Sequence, residues 1–303
     1  MSGNHIYRIK TISEFHHFRE LHKPAHPLVS VYNFADIKRL HEDEPKSIML
    51  DFYSIALKRV NAKMKYGQQE YDFDEGTMFF IAPGQVFSIE SNIDLEHSGW
   101  ALMIHPDFLW NTPLAHKIKQ FEYFSYSVHE ALFLSEKEES MIVSIMRNIE
   151  QEYQANIDKF SQDVIIAQIE LLLTYADRFY HRQFLTRKIT NHKILNRVEY
   201  ILDDYFNSSN LTQTGLPTVQ YIAETLNVSP NYLSSLLKIL TGQTTQQHIH
   251  ERVIEKAKEQ LSTSNLTISE IAYELGFEHP QSFSKLFKTK TSLSPLEFRQ
   301  SFN

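Results

Sequence analysis

Residues 269–299 read SEIAYELGFEHPQSFSKLFKTKTSLSPLEFR, and this stretch decides the fold of the C-terminal part of the chain. A short amphipathic pattern ends at a Gly-Phe break, and a second helical pattern rich in lysine follows it. Upstream, residues 220–245 carry the same arrangement in QYIAETLNVSPNYLSSLLKILTGQTT. Two copies of a helix, turn and helix pattern predict two helix-turn-helix units, each with a second helix able to enter a DNA major groove.

The two copies align position by position, with one residue inserted in the turn of the second. Gly276 supplies the left-handed backbone position that this turn needs, and Asn227 takes that place in the first copy. Between the copies, residues 245–261 predict a charged amphipathic helix that holds them apart. The matching residues are Thr218, Ile222, Ala223, Leu226, Leu233, Leu236, Leu237 and Lys238 in the first copy, and Thr267, Ile271, Ala272, Leu275, Phe283, Leu286, Phe287 and Lys288 in the second.

The outward faces of the two second helices carry polar and basic side chains. At 100° per residue the apolar positions fall on one side of each helix, so the polar positions collect on the other. Asn and Gln can pair with adenine, Lys with guanine, and Ser with a base or a phosphate. One such face is typical of any solvated helix, but two equivalent faces favour DNA reading. The predicted outward residues are Asn231, Ser234, Ser235, Lys238, Gln281, Ser284, Lys285 and Lys288.

Residues 190–303 resemble the C-terminal segment of the AraC/XylS family of bacterial transcription regulators. The resemblance rests on IAYELGF, SFSKLFK and the final SP..FR, together with Arg252 and Ala257 of the connecting helix. In that family the two recognition helices enter successive major grooves on one face of DNA. The resemblance therefore implies groove contact at Asn231, Ser234, Ser235, Gln281, Ser282 and Lys285.

One departure from the family pattern lies at the end of the second copy. Ser292 stands where the family usually has Gly, and the first copy keeps that residue as Gly242. The departure bears on how tightly the last turn of the second copy closes, and not on its function. Arg252 and Arg299 are interpreted as structural residues that bond loop carbonyls, with phosphate contact as the alternative.

The first part of the chain reads as strands followed by helices. Residues 47–109 consist of short runs rich in β-branched and aromatic residues, separated by breaks such as Pro83-Gly84. Ser135 with Glu138 predicts a capping box on a helix that reaches about Ile157, and residues 161–184 predict a longer helix. This order resembles the usual N-terminal sensor of the family, a cupin-like β-barrel with a helical dimerisation element.

The prediction is therefore an α+β chain of two domains. Residues 1–184 are expected to form the cupin-like sensor and dimerisation domain, and residues 185–303 an all-α double helix-turn-helix DNA-binding domain. The helix at 161–184 has more apolar surface than one buried stripe requires, which favours a homodimer through it over packing within the domain alone. Its apolar residues are Val164, Ile165, Ala167, Ile169, Leu171, Leu172 and Tyr175.

Charge and composition limit the classes of function. The net charge of −7 combines −8 for residues 1–184, with 18 Lys+Arg against 26 Asp+Glu, and +1 for residues 185–303, with 12 against 11. A nucleic-acid partner therefore requires that the few cations of the second part share one surface. The chain has no cysteine, no apolar run long enough for a membrane span and a polar start, so a cytoplasmic location is expected.

Two rival functions stay open beside DNA binding. A cupin-type metal enzyme would need several histidines and a glutamate on adjacent strands, and no histidine occurs between His41 and His97. Neither a phosphate-binding loop nor a nucleophile elbow occurs, so no enzyme activity, cofactor or metal is expected. A protein-interaction module would leave the two reader faces unexplained. The aromatic residues of 42–126 suit either a core or a ligand pocket.

The predicted function is a sequence-specific DNA-binding transcriptional regulator controlled at its N-terminal domain by a small-molecule effector or a partner. The expected partners are double-stranded DNA, a second copy of the chain and RNA polymerase.

Overall fold

The computed structural model describes residues 6–37, 47–59, 64–66, 69–71, 76–88, 98–127, 130–155, 158–186, 188–207 and 211–301. The chain divides into two compact units, residues 1–183 and 184–303. Strands and helices build the described part of the first unit, and the described secondary structure of the second is helical. Within these ranges, no helix has both the length and the apolarity needed to cross a bilayer.

The first unit contains two main sheets and a short hairpin. The larger sheet has the order β10-β7-β4-β9-β2 and is antiparallel throughout, while the smaller has the order β1-β3-β8, with β1 parallel to β3. The hairpin joins β5 to β6. The strands are β1 (Ile6–Ile9), β2 (Val29–Asn33), β3 (Ser47–Leu50), β4 (Tyr53–Arg59), β5 (Met64–Tyr66), β6 (Gln69–Tyr71), β7 (Gly76–Ile81), β8 (Val86–Ser88), β9 (Ser98–Ile104) and β10 (Leu132–Leu134).

Four helices accompany these strands: α1 (Ile12–Phe18), α2 (Leu114–Lys117), α3 (Glu136–Gln154) and α4 (Ser161–Thr186). The smaller sheet and α1 cover one face of the larger sheet, where Ile9, Ile12 and Ala56 belong to one core cluster. Helix α3 lies on the opposite face, and its Tyr153 hydroxyl accepts from the Val31 amide at 2.9 Å and donates to the Val31 carbonyl at 3.2 Å. Strand β4 is therefore apolar at the three successive positions Ile55, Ala56 and Leu57, because both of its faces are covered there.

The predicted order of strands followed by helices is confirmed, but the cupin-like barrel is not. The described strands form separate open sheets, and none of these sheets closes on itself. Among the described strands, β10 and β2 are the outer strands of the larger sheet, and β1 and β8 are those of the smaller sheet. Among the aromatic residues of this region, Phe52, Tyr53 and Phe80 are core residues. The side chains of Tyr66, Tyr71 and Phe73 lie outside the described residues.

Helices α3 and α4 follow the predicted pattern closely. Ser135 and Glu138 form the predicted capping box on α3, which ends at Gln154, and Ile157 lies outside the described residues. In α4, Ile165, Ile169 and Leu172 are at most 2% exposed, so packing within the first unit accounts for them. Residues 184–192 belong to helices at every described position.

The second unit has two cores that share one helix. Its helices are α5 (Lys188–Asn207), α6 (Leu211–Thr214), α7 (Val219–Leu226), α8 (Pro230–Thr241), α9 (Thr245–Thr263), α10 (Ile268–Glu274), α11 (Pro280–Thr291) and α12 (Pro295–Gln300). Ile249 and Val253 of α9 pack with α5, α7 and α8, whereas Ala257 and Leu261 pack with α10 and α11. Phe277 and Leu286 pack against both cores, which fixes the two halves to each other.

Candidate nucleic-acid interface

The two predicted helix-turn-helix units form as α7-α8 and α10-α11. Thr218 caps α7, and Asn227 ends it in the left-handed conformation with φ 57°. Thr267 and Glu270 make the predicted capping box on α10, and Gly276 follows with φ 84°. Both predicted turn residues are therefore confirmed in the conformation that their chemistry suggested.

Gly276 is also required because the neighbouring backbone leaves no space for a side chain. A Cβ atom at this position would lie 2.8 Å from the carbonyl carbon of Gly215 and 3.0 Å from the carbonyl oxygen of Leu211. The backbone preceding α7 thus passes directly against the turn between α10 and α11. This contact, which sequence periodicity could not predict, adds a second reason for glycine beside the positive φ.

Buried apolar side chains set the orientation of the two second helices. Leu233, Leu236 and Leu237 of α8 are 0% exposed, and so are Phe283 and Phe287 of α11. These residues fill one side of each helix, so the side chains about 180° away must face outward.

Nine residues are predicted to contact DNA, and we call them the readers. Most of the readers lie on these outward faces. The side chains of six are exposed, while those of Ser234, Ser235 and Ser284 are half-buried. The Ser234 hydroxyl lies 3.1 Å from the hydroxyl of Thr245, which is fully buried at the start of α9. Ser234 therefore links α8 to α9, because its position lies at the flank of the outward face. The six exposed readers are Asn231, Lys238, Gln281, Ser282, Lys285 and Lys288.

The positive charge of the two faces is unequal. Lys285, Lys288 and Lys290 are all exposed on α11, whereas α8 contributes Lys238. Lys290 is not among the residues predicted from the sequence to contact DNA. Burial and the charge of this lysine lower the pKa of His250 on α9, so Lys290 lies on the α9 side of α11. Only the tertiary structure could give that placement.

The last turns of α8 and α11 close in the same way despite the Gly-to-Ser difference. Gly242 has φ 80°, and its amide donates to the carbonyl of Lys238 at 3.0 Å. Ser292 has φ 66°, and its amide donates to the carbonyl of Lys288 at 2.8 Å. The substitution therefore leaves the geometry of the turn intact.

Arg252 and Arg299 make contacts inside the second unit. Arg252 forms ion pairs with Asp203 of α5 and with Glu255. Arg299 donates to the Leu261 carbonyl at 3.3 Å, so α12 is tied to the end of α9. The carbonyl contact predicted for this pair occurs at Arg299, and Arg252 binds carboxylates instead.

Comparison with known proteins agrees with this architecture. Residues 222–301 match a protein family described as a helix-turn-helix domain. An uncharacterised HTH-type transcriptional regulator in the cgkA 5′ region of Pseudoalteromonas carrageenovora is 34% identical over 116 residues, covering 38% of this chain and 64% of the relative. The regulator YobQ of Bacillus subtilis is 26% identical over 217 residues, which cover 71% of this chain and 84% of the relative. The chain therefore spans just under two thirds of the first relative's length.

Among solved structures, the C-terminal domain of AraT, a response regulator from Geobacillus stearothermophilus, is 32% identical. The match covers 36% of this chain and 84% of that domain, with a TM-score of 0.32. The family match over residues 222–301 includes both α8 and α11.

Proposed function

Because the chain belongs to the AraC family of DNA-binding helix-turn-helix transcriptional regulators, we propose that it reads promoter DNA through the outward faces of α8 and α11. The observation that carries the proposal is the pair of equivalent faces. Asn231 and Lys238 on α8 correspond to Gln281 and Lys288 on α11, and all four side chains are exposed. The proposed readers also include Ser234, Ser235, Ser282, Ser284 and Lys285. Ser234 in addition holds α8 against α9 through Thr245.

The chemistry of each side chain decides whether it contacts a base or a phosphate. Gln281 and Asn231 have amides that pair bidentately with adenine, and Lys285 lies near the centre of its face, where a guanine edge would be reached. Lys288 and Lys238 lie closer to the C-terminal ends of their helices and suit phosphate contact. Phosphate contacts give affinity without sequence preference, while the central residues give specificity.

The first unit is proposed to be the sensor and dimerisation domain, of a cupin-like kind. A small-molecule effector or a partner bound there would shift the population of arrangements in which a homodimer presents its DNA-binding units. RNA polymerase is a further proposed partner. The regulator named for the raffinose operon of Pediococcus pentosaceus, 30% identical over 141 residues, supports control of an operon as a general role.

The test measures DNA affinity of the full chain by fluorescence anisotropy at 50 and 200 mM salt. Because each neutralised phosphate adds roughly 0.9 to the log–log salt slope, affinity should fall steeply between these concentrations. On a preferred site found by selection from random duplexes, Lys285→Ala should cost about 1–3 kcal/mol and relax preference at one or two base pairs. Lys288→Ala should instead weaken preferred and unrelated duplexes alike.

Lys258→Ala is the matched control, because Lys258 is an exposed lysine of α9 outside the two faces. It should leave affinity and sequence preference nearly unchanged. A flat salt response of the unaltered chain, or an effect of Lys285→Ala no larger than that of Lys258→Ala, would contradict the proposed function.

A further inference from the structure

A short segment ahead of α7 contacts both helix-turn-helix units. It consists of residues 211–217, and we call it the α6 segment. Its Leu211 and Leu216 pack in the core built by α5, α7 and α8, which we call the first core. Its backbone meets the turn between α10 and α11 at two glycines, Gly215 with φ 74° and Gly276 with φ 84°. The α6 segment is therefore anchored beside the first helix-turn-helix and supports the second.

The contact between the two glycines is close from both sides. A Cβ atom at Gly276 would lie 2.8 Å from the carbonyl carbon of Gly215, and one at Gly215 would lie 3.6 Å from the carbonyl oxygen of Gly276. Phe277 follows directly in the chain and packs against both cores. Because backbone meets backbone here, a displacement of Gly215 must move the turn that leads into α11 or open a gap beside it.

Tyr205 of α5 holds Gly215 in place. Its hydroxyl lies 2.9 Å from the Thr214 hydroxyl and donates to the Gly215 carbonyl at 3.0 Å. Because a tyrosine hydroxyl both donates and accepts, it can satisfy both groups at once. Its ring packs against that of Tyr221 on α7, with 5.2 Å between the ring centroids. A side chain of the first core thus sets the position of the backbone on which the second turn rests.

The spacing of the two outward faces is sensitive to small displacements. Successive major grooves on one DNA face are about 34 Å and 10–10.5 base pairs apart, so one base pair changes the separation by roughly 3.4 Å. The same base pair also rotates one groove about the DNA axis by roughly 35°. The distance between α8 and α11 therefore decides which separation of half-sites the two helices can contact together.

We propose that Tyr205 is a positioning residue for DNA recognition. Acting through Gly215 and Gly276, its hydroxyl fixes the distance between α8 and α11, and hence the number of base pairs between the two half-sites that one copy of the chain accepts. The consequence for half-sites rests on the proposed function. The fixed distance between the helices is a property of the free chain and requires no DNA.

The first test measures the distance between the two helices in the full chain. Because the chain has no cysteine, Lys238→Cys with Lys288→Cys places one spin label on each helix, and dilution into unlabelled chain leaves one labelled pair per dimer. In double electron–electron resonance, Tyr205→Phe should broaden the distance distribution, because the hydrogen bond to Gly215 is lost. Tyr200→Phe is the matched control, since Tyr200 is 71% exposed on the same helix, and it should leave the distribution unchanged.

The second test measures spacing preference by fluorescence anisotropy. It compares the preferred duplex with duplexes in which one base pair is inserted or removed between the half-sites. The unaltered chain and Tyr200→Phe should favour the preferred spacing equally. In Tyr205→Phe the ratio of the affinities for preferred and altered spacing should fall at least about threefold, a factor within the range for one hydrogen bond. Circular dichroism should show unchanged helix content, because the ring is kept.

An unchanged distance distribution in Tyr205→Phe would overturn the inference, whether or not the chain binds DNA. An equal loss of affinity for all three duplexes would also overturn it, because that result would show a general effect on stability and none on spacing. Failure of the unaltered chain to bind DNA in the salt assay would instead reject the proposed function and the consequence for half-sites. The distance measurement would still decide whether Tyr205 positions α11.

Discussion

Four non-glycine residues of the described chain have positive φ, and two of them, Asn227 and Ser292, end helices of the DNA-binding unit. Asparagine tolerates the left-handed conformation because its short side chain can bond locally, whereas serine gains less from it. Gly276 occupies the equivalent of Asn227, where both the φ and the contact with Gly215 exclude a side chain. The two helix-turn-helix units thus form the same turns with different amino acids.

Ser292→Gly should stabilise the second unit by about 0.5–1 kcal/mol. Removing the left-handed strain of serine stabilises the folded state by about 1–2 kcal/mol. The greater conformational entropy of glycine in the unfolded chain costs about 0.5–1 kcal/mol, so the net effect is stabilising. Gly242→Ser is the reciprocal control, because no atom lies within 4 Å of a Cβ placed there. It should destabilise the unit by a similar amount. Calorimetry of the full chain measures both, and equal transition temperatures for the three proteins would refute the strain argument.

At the scale of elements, the sequence predicted the helical unit well because its information is local. Capping boxes, left-handed turn residues and a 3.6-residue period are each properties of a few neighbouring residues, and they gave α7 to α11 within a few positions. The outward faces of α8 and α11 followed from the same period. The additional contact of Ser234 with Thr245 was not predicted, because Thr245 lies on another helix that no helical wheel of α8 includes.

The first unit was harder to predict because strand pairing is not local. Short apolar runs indicated strands, but neither the split into two main sheets nor the parallel pairing of β1 with β3 follows from alternation. Lys58 shows the same limit, because its pairing with Gly99 across β4 and β9 depends on the strand register, which alternation does not give.

The predicted self-association through helix α4 is revised, because the apolar residues available for it are the exposed ones. Ile165 and Leu172 are buried in the unit, so charged residues there would unfold it, whereas Val164 and Leu171 are 41% and 43% exposed. These two lie seven residues apart and thus on one face of the helix. Val164→Glu with Leu171→Glu should raise the dimer dissociation constant at least about tenfold and leave the fold intact, because charge is placed on a proposed apolar contact.

Sedimentation of the full chain measures the change, and circular dichroism checks that helix content is kept. Met141→Glu is the matched control, because Met141 is 39% exposed on α3 and lies outside the α4 face. It should leave association unchanged. A dimer of unaltered stability in the double variant would rule out this face of α4 as the interface.

For the whole molecule, the arrangement of the DNA-binding unit depends on α9. This helix has 19 residues and is therefore about 28 Å long at 1.5 Å per residue. Because it takes part in both cores, and because Phe277 and Leu286 pack against both, α8 and α11 are held by one continuous framework. A framework of this size suits the spacing of roughly 34 Å between successive major grooves on one DNA face.

Each copy of the chain should therefore protect two major grooves about 10 base pairs apart, and a dimer should protect two such pairs in direct or inverted repeat. Hydroxyl-radical footprinting of the full chain on its preferred site measures this. Asn231→Ala with Lys238→Ala should remove protection of one groove, and the matched pair Gln281→Ala with Lys288→Ala should remove the other, because each pair belongs to one face. If the helix spacing fell short of the groove spacing, DNA bending would cost a few kcal/mol and weaken one contact. Protection of one groove per copy, lost with the α11 pair and insensitive to the α8 pair, would show that the first helix-turn-helix, α7-α8, does not engage DNA, consistent with the lower positive charge of α8.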